Sequence, residues 1–196
     1  MLAGCAALLL GTTLHAQALN TSLLKPPPGA RVAIVEFDDL ECPACAHANP
    51  LLEQAAAKYK IPWIRHDFLI PYHIWSKTAA IDARWFDTRN KALGDAYRNE
   101  VFAHQISIET PLQLLQFTQR FAQSHGVALP FAVDPQGKLL AEINADNALG
   151  TQIGLTLTPS IFIVTAGSKG ASSIQVKDPD HDLYSAIDQA IAATRH

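Results

Sequence analysis

Cysteine is scarce in this chain: Cys5, Cys42 and Cys45 are the only three in 196 residues. A structural zinc site takes about four ligands, usually two Cys pairs or one pair with suitably spaced His, and no second Cys pair exists. Covalent haem attachment needs His directly after the second Cys of a pair, and Ala46 stands there. Basic excess is missing as well. The formal net charge is −3, so nothing in the composition suggests a nucleic-acid partner. No internal repeat is present, and no Lys or Arg precedes Lys25. With 48% hydrophobic residues the chain is nevertheless long enough to bury a sizeable core.

What the chain does contain is Cys42-Pro43-Ala44-Cys45. Two thiols at this spacing can exchange electrons as one disulfide, and Cys5 is the only further thiol in the chain. The pattern alone also serves as half a zinc site or as ordinary helix, so its surroundings must decide. Upstream, Val32-Ala33-Ile34-Val35-Glu36-Phe37 reads as a buried strand, followed by a polar Asp38-Asp39 turn. Downstream, Pro43 suits the first helical turn, and Leu51, Leu52, Ala55, Ala56 and Tyr59 recur at helical spacing. Cys42 therefore falls at a helix N-terminus, where unsatisfied N–H groups and the macrodipole favour thiolate over thiol. It is the candidate nucleophile, and Cys45, one turn deeper, the candidate resolving thiol. His47 reads as an exposed residue of the helix surface.

A second anchor lies at Leu155-Thr156-Leu157-Thr158-Pro159-Ser160-Ile161-Phe162-Ile163-Val164, where a proline opens another apolar, β-rich run. Together the two segments resemble the thioredoxin superfamily, and more closely its DsbA-like branch. The resemblance implies an α/β fold in which a thioredoxin-like central sheet is flanked by helices and carries an inserted helical subdomain. It implies that Thr158–Pro159 is a cis bond packed against the Cys pair, with the Thr158 backbone taking up an extended substrate segment. Glu36, six residues before Cys42, matches the position of a buried acid that tunes the pair; the alternative is a solvent-facing strand residue. Pro50 matches the kink proline of thioredoxin-like active-site helices, where it removes one helix hydrogen bond. The intervening Pro43-Ala44 tunes the dithiol and lacks the histidine that DsbA itself carries, which implies a less oxidising potential.

The expected order is strand about 31–37, helix 43–59, strand 62–68, a helical stretch about 75–152, strand 159–165, strand 172–177 and helix 180–194. Thr110-Pro111 reads as N-cap and N1 of a helix whose Leu114, Phe117 and Phe121 share one face. Phe68, Pro71, Tyr72, Trp75, Trp85 and Phe86 cluster around the second strand and the start of the helical subdomain, and packing there is the favoured reading for most of them. His66 and His73 read as structural. Residues 1–18 are almost uncharged, rich in Ala and Leu, and end in Ala16-Gln17-Ala18, so they read as a signal peptide or N-terminal anchor. Leu2-Ala3-Gly4-Cys5 also resembles a bacterial lipoprotein box, which would place a lipid on Cys5. Broken by Gly11, Thr12 and Thr13, the stretch is short for a spanning helix. Residues 19–30 read as a linker, and 31–196 as the thioredoxin-like domain.

The activity the resemblance implies is thiol–disulfide exchange on cysteine-containing exported proteins, in a periplasmic or otherwise extracytoplasmic compartment. Disulfide formation is the favoured direction. A membrane or periplasmic redox partner would recycle the dithiol, with no cofactor, metal or nucleic acid required. A monomer is expected, because about thirty residues before the first strand leave no room for a dimerisation domain. Two rivals stand beside this reading: a reductase of protein disulfides, and a peptide-binding or chaperone-like module whose disulfide is only structural.

Overall fold

The computed structural model describes residues 19–167 and 170–195. The candidate leader 1–18, with the expected lipid site Cys5, lies outside the described residues. The first strand, β1 (Val32–Asp38), is buried along its whole length. It ends one residue later than the sequence suggests, because Asp38 continues the strand instead of turning. β1 pairs in parallel with β2 (Trp63–Asp67) and antiparallel with β3 (Ser160–Gly167). β3 in turn pairs antiparallel with β4 (Gly170–Val176), so the sheet order is β2-β1-β3-β4.

Alternation along the strands supplies two core faces. Val32, Ile34, Ile161 and Ile163 point to the side covered by α1 (Pro43–Tyr59) and α6 (Leu183–Ala193), which bury Ala48, Leu52, Leu183 and Ile187 against them. Ala33, Val35, Phe37, Phe162 and Val164 form the opposite face, packed with Phe68, Ile70 and Ile153. The strands read as nearly continuous apolar runs for this reason. Glu36 shares the face of Ile34, toward α1, so its carboxyl is directed into protein and not into water.

Between β2 and β3 the chain builds α2 (Ser76–Arg89), α3 (Lys91–His104), α4 (Pro111–Ser124) and α5 (Lys138–Ile153). Thr110 caps α4 by accepting from the Gln113 N–H at 3.2 Å, with Pro111 at N1, and Leu114, Phe117 and Phe121 are all buried. Phe86, Tyr97 and Phe121 meet at ring distances of 4.8–5.1 Å to form the centre of this subdomain. Cys42 and Cys45 belong to that same cluster. The cysteine pair therefore lies at the seam between sheet layer and helical insertion.

The segment 19–30 does not run free of the domain. Its residues Thr21–Leu23 form a single 3₁₀ turn, Leu24 is buried against the second sheet face, and the Asn20 N–H donates to Ile153 O at 3.0 Å. Its leucines give it apolar surface to bury. No helix among the described residues is long and apolar enough to cross a membrane.

Candidate active site

Cys42 is the N-cap of α1, in an extended conformation (φ −83°, ψ 119°), and Pro43 opens the helix. The Cys42 carbonyl accepts from the N–H groups of Cys45 and Ala46, both at 3.1 Å, which closes the first turn. Both cysteines are in the free thiol form. Cys45 is fully buried and Cys42 is 7% exposed, so reagents reach the pair only at Cys42. Pro50 lies inside α1, where it withholds an N–H from the helix ladder.

The Thr158–Pro159 bond is cis, and Thr158 meets the nucleophile although 116 residues separate the two. As a thiol, Cys42 Sγ donates to the Thr158 carbonyl at 3.5 Å, a contact that favours the protonated form. Stronger influences act the other way. The Cys45 thiol donates to Cys42 and, aided by the Thr158 side chain and by N–H groups of Cys45 and Ala44, lowers the Cys42 pKa to about 6 against the cost of burial. Burial drives Cys45 strongly upward, and its donation to Cys42 and the nearby Asp38 add to the effect. One thiol is thus poised to ionise and the other to hold its proton.

Glu36, on the strand that leads to the pair, is buried at 1% exposure. The Trp63 indole N–H donates to its Oε2 at 3.0 Å, while Oε1 has no partner among the described residues. Burial first, and then Asp38, push Glu36 up to about 8; Arg65, its register neighbour on β2, works in the opposite direction. Asp38 corrects the sequence reading: it is no turn residue but a second buried acid on the same strand face as Glu36, raised by burial to about 7. Period-two alternation from Glu36 could have found it.

Asp39 does make the turn, yet it too is buried. Its carboxylate accepts from the N–H groups of Glu41 and Ile70, each at 2.8 Å, and lies 2.9 Å from His73 Nδ1. Glu41 reaches forward to accept from the N–H groups of Ile74, Trp75 and Ser76, capping α2 from outside it. From the other end of the insertion's first half, the Gln105 amide donates to the carbonyls of Leu40 and Cys42 at 2.9 and 3.1 Å.

A cavity of about 430 Å³ opens beside Cys42, lined among others by Ile70, Tyr72, His73, Leu157 and Thr158. Tyr72 and Leu157 are largely exposed, whereas Phe68, Trp75, Trp85 and Phe86 are buried in the packing expected of them. His47 lies on the surface of α1, 2.8 Å from Asp180. His66 pairs with Asp146 at 2.7 Å. Among the described residues no cluster of three or more His, Cys, Asp or Glu is placed to hold a metal ion.

Comparison with solved structures places this fold among DsbA-type proteins. The thiol-disulfide exchange protein alpha-DsbA2 of Wolbachia pipientis is 18% identical over 84% of each chain, with a TM-score of 0.65. BdbD of Bacillus subtilis is 14% identical, the match covering 86% of this chain and 91% of that one, with a TM-score of 0.68. For DsbA2 of Pseudomonas aeruginosa the values are 17%, 88%, 95% and 0.66. Among curated protein sequences none matches. A family model described as thioredoxin matches residues 27–175, most of the chain and all of the site just described, and the chain belongs to that family.

Proposed function

We propose that this chain is a protein thiol–disulfide oxidoreductase that forms disulfides in cysteine-containing exported proteins. The observation that carries the reading is the asymmetry of the dithiol: Cys42 is held near pKa 6 at a cavity mouth, and Cys45 is held protonated behind it. In the oxidising direction a substrate thiolate attacks Cys42, and a second substrate thiol then displaces Cys42 from the mixed disulfide. A sulfur with a low pKa leaves readily, which supports oxidation. Pro43 and Ala44 add no charge that would stabilise the thiolate further. The Thr158 backbone beside Cys42 is the surface on which an extended substrate segment pairs, with Pro159 holding it in place. Glu36 is the proton-holding acid beneath the resolving thiol.

The setting that fits is extracytoplasmic, with residues 1–18 as export signal, residues 31–196 as the working domain, and a membrane or periplasmic partner reoxidising a monomer. Oxidative refolding of a reduced, unfolded two-cysteine client tests the reading. The oxidised protein should transfer its disulfide stoichiometrically, and Cys42→Ala should not. A reduction potential near that of strongly reducing dithiols, measured against a glutathione series, would refute the oxidising direction; transfer that survives Cys42→Ala would refute exchange altogether.

A further inference from the structure

The cysteine pair accounts for electrons at this site but leaves one proton without a carrier. A substrate thiol must lose its proton before it can attack Cys42, and the dipeptide Pro43-Ala44 contains no side chain that could take it. Building on the exchange reading above, we propose that His73, oriented by Asp39, is the acid–base group for the substrate sulfur that meets Cys42.

His73 lines the cavity into which Cys42 opens, and its side chain is only 12% exposed. Its position is fixed locally: the His73 N–H donates to Ile70 O at 3.0 Å, and Ile70 itself donates to the Asp39 carboxylate. That carboxylate is fully buried, tied by two backbone N–H groups, and sits 2.9 Å from His73 Nδ1. The approach is off the line of an ideal ring N–H bond, so Nδ1 stands against the carboxylate without an aligned hydrogen bond. With Nδ1 turned to a carboxylate, Nε2 remains for a proton from the cavity, the logic by which an acid orients a histidine base.

Among the described residues, the titratable groups of its cavity and its turn are these. Asp39 comes from the turn after β1. Glu41, from the same turn, is occupied by three N–H groups at the start of α2. Tyr72 stands edge-on at 5.0 Å with its own ring largely exposed, and Cys42 comes from α1. The remaining cavity lining is Pro, Ala, Ile, Leu and Thr, none of which titrates. Among the described lining residues, His73 is the one that brings an imidazole to this cavity.

The step balances without an outside reagent. The substrate thiol gives its proton to His73 Nε2, and its sulfur bonds to Cys42 Sγ as the Cys42–Cys45 bond breaks. The electron pair goes to Cys45, which takes a proton from solvent. A second substrate thiol, releasing its proton to solvent, then bonds to the first substrate sulfur, and Cys42 leaves with its electron pair. The substrate has lost two electrons and two protons; the protein holds two electrons, with one proton on Cys45, one on His73, and Cys42 as thiolate. In the reverse direction the same imidazolium protonates the departing substrate sulfur.

The test is the pH dependence of the single-turnover rate between the oxidised full-length protein and a cysteine peptide, for wild type, His73→Gln, His73→Ala and Asp39→Asn. His73→Gln should lose the imidazole-dependent limb and about ten-fold in rate near neutrality, a modest loss for general base catalysis because thiols are already acidic. Free imidazole should restore rate to His73→Ala and not to wild type, a response that a packing role would not produce. Asp39→Asn should shift the limb toward lower pH. A wild-type limb that persists in His73→Gln, or a loss in His73→Ala that imidazole does not relieve, overturns the role of His73. If the wild type transfers no disulfide at all, the exchange reading itself has failed, so the two failures are distinct.

Discussion

Replacing Glu36 with Gln removes one ionisation and little else. Gln keeps an oxygen to accept from the Trp63 indole N–H, fills nearly the same volume, and cannot bear charge. In the folded protein the Glu36 carboxyl is raised from its ordinary 4.5 to about 8, chiefly by burial. An acid raised on folding retains a proton that the unfolded chain releases. Its contribution to stability is therefore complete below about pH 4.5 and is lost as pH rises through about 8. At 1.36 kcal/mol per pH unit the full loss is roughly 5 kcal/mol, of which roughly 3 kcal/mol has gone by about pH 7. The Gln variant escapes that loss, so its stability relative to wild type should climb steadily through the neutral range by a few kcal/mol. Urea unfolding of the two reduced proteins at a series of pH values measures the difference directly. Asp38, raised to about 7, and Asp82, raised to about 6, impose slopes of the same sign. They are present in both proteins and largely cancel in the difference. A difference that stays flat with pH, or that turns against the variant as pH rises, would show that Arg65 holds Glu36 charged and would refute the argument. The Cys42 midpoint should barely move, since Cys42 ionises near 6, where Glu36 is still neutral.

Alkylation by iodoacetamide, resolved by mass spectrometry, should label native Cys42 with a midpoint near 6 and leave Cys45 unlabelled; preferential labelling of Cys45 would reverse the assignment. Cys45→Ala should accumulate mixed disulfides with clients on non-reducing gels. Arg84→Met leaves Asp67 and Asp146 without their shared cation, so chemical denaturation should show a loss of about 3–5 kcal/mol at neutral pH. In Gly150→Ala a new Cβ would stand 2.4 Å from Cδ2 of Phe68 and 3.4 Å from Cδ1 of Phe37. Both rings lie in the sheet-face core, and the overpacking should cost about 1–3 kcal/mol in the same assay; an unchanged midpoint would mean that Phe68 is free to move.

The local signals in this sequence are those that act over a few residues. Pro43 at N1 and the apolar period through Ala55 fix α1 from Pro43 to Tyr59, as expected. The Thr110-Pro111 pair marks the start of α4 equally well. The remaining helices of the insertion merge into one helical stretch in the sequence, because their breaks depend on single residues such as Asn90, whose side chain accepts from the Ala92 N–H at 2.9 Å. Charged partners that meet across long stretches of chain were not legible. Arg84 bonds Asp67 and Asp146, and Arg65 meets Asn49 and Asn99, pairings that only the folded chain creates. Asp38 reads as a turn residue because two acids in a row look like a solvated turn, while the apolar residues before them carry the strand on. His73 carries no motif either: the loop after β2 brings it to the cavity that Cys42 lines.

The hydrogen bonds of Glu41 and Gln105 have a consequence for anyone exchanging parts between relatives. Residue 41 holds the start of α2, and residue 105, just beyond α3, holds the carbonyls of residues 40 and 42. The helical insertion is thus stitched to the nucleophile's own turn by side chains on either side of the splice that a chimera would use. A donor insertion transplanted after β2 arrives without its matching residue 41, and the host turn loses its amide at 105. Such a cassette swap can keep every apolar contact and still leave the helix start and the Leu40 carbonyl short of partners, so the transferable unit is the insertion together with Leu40–Cys42.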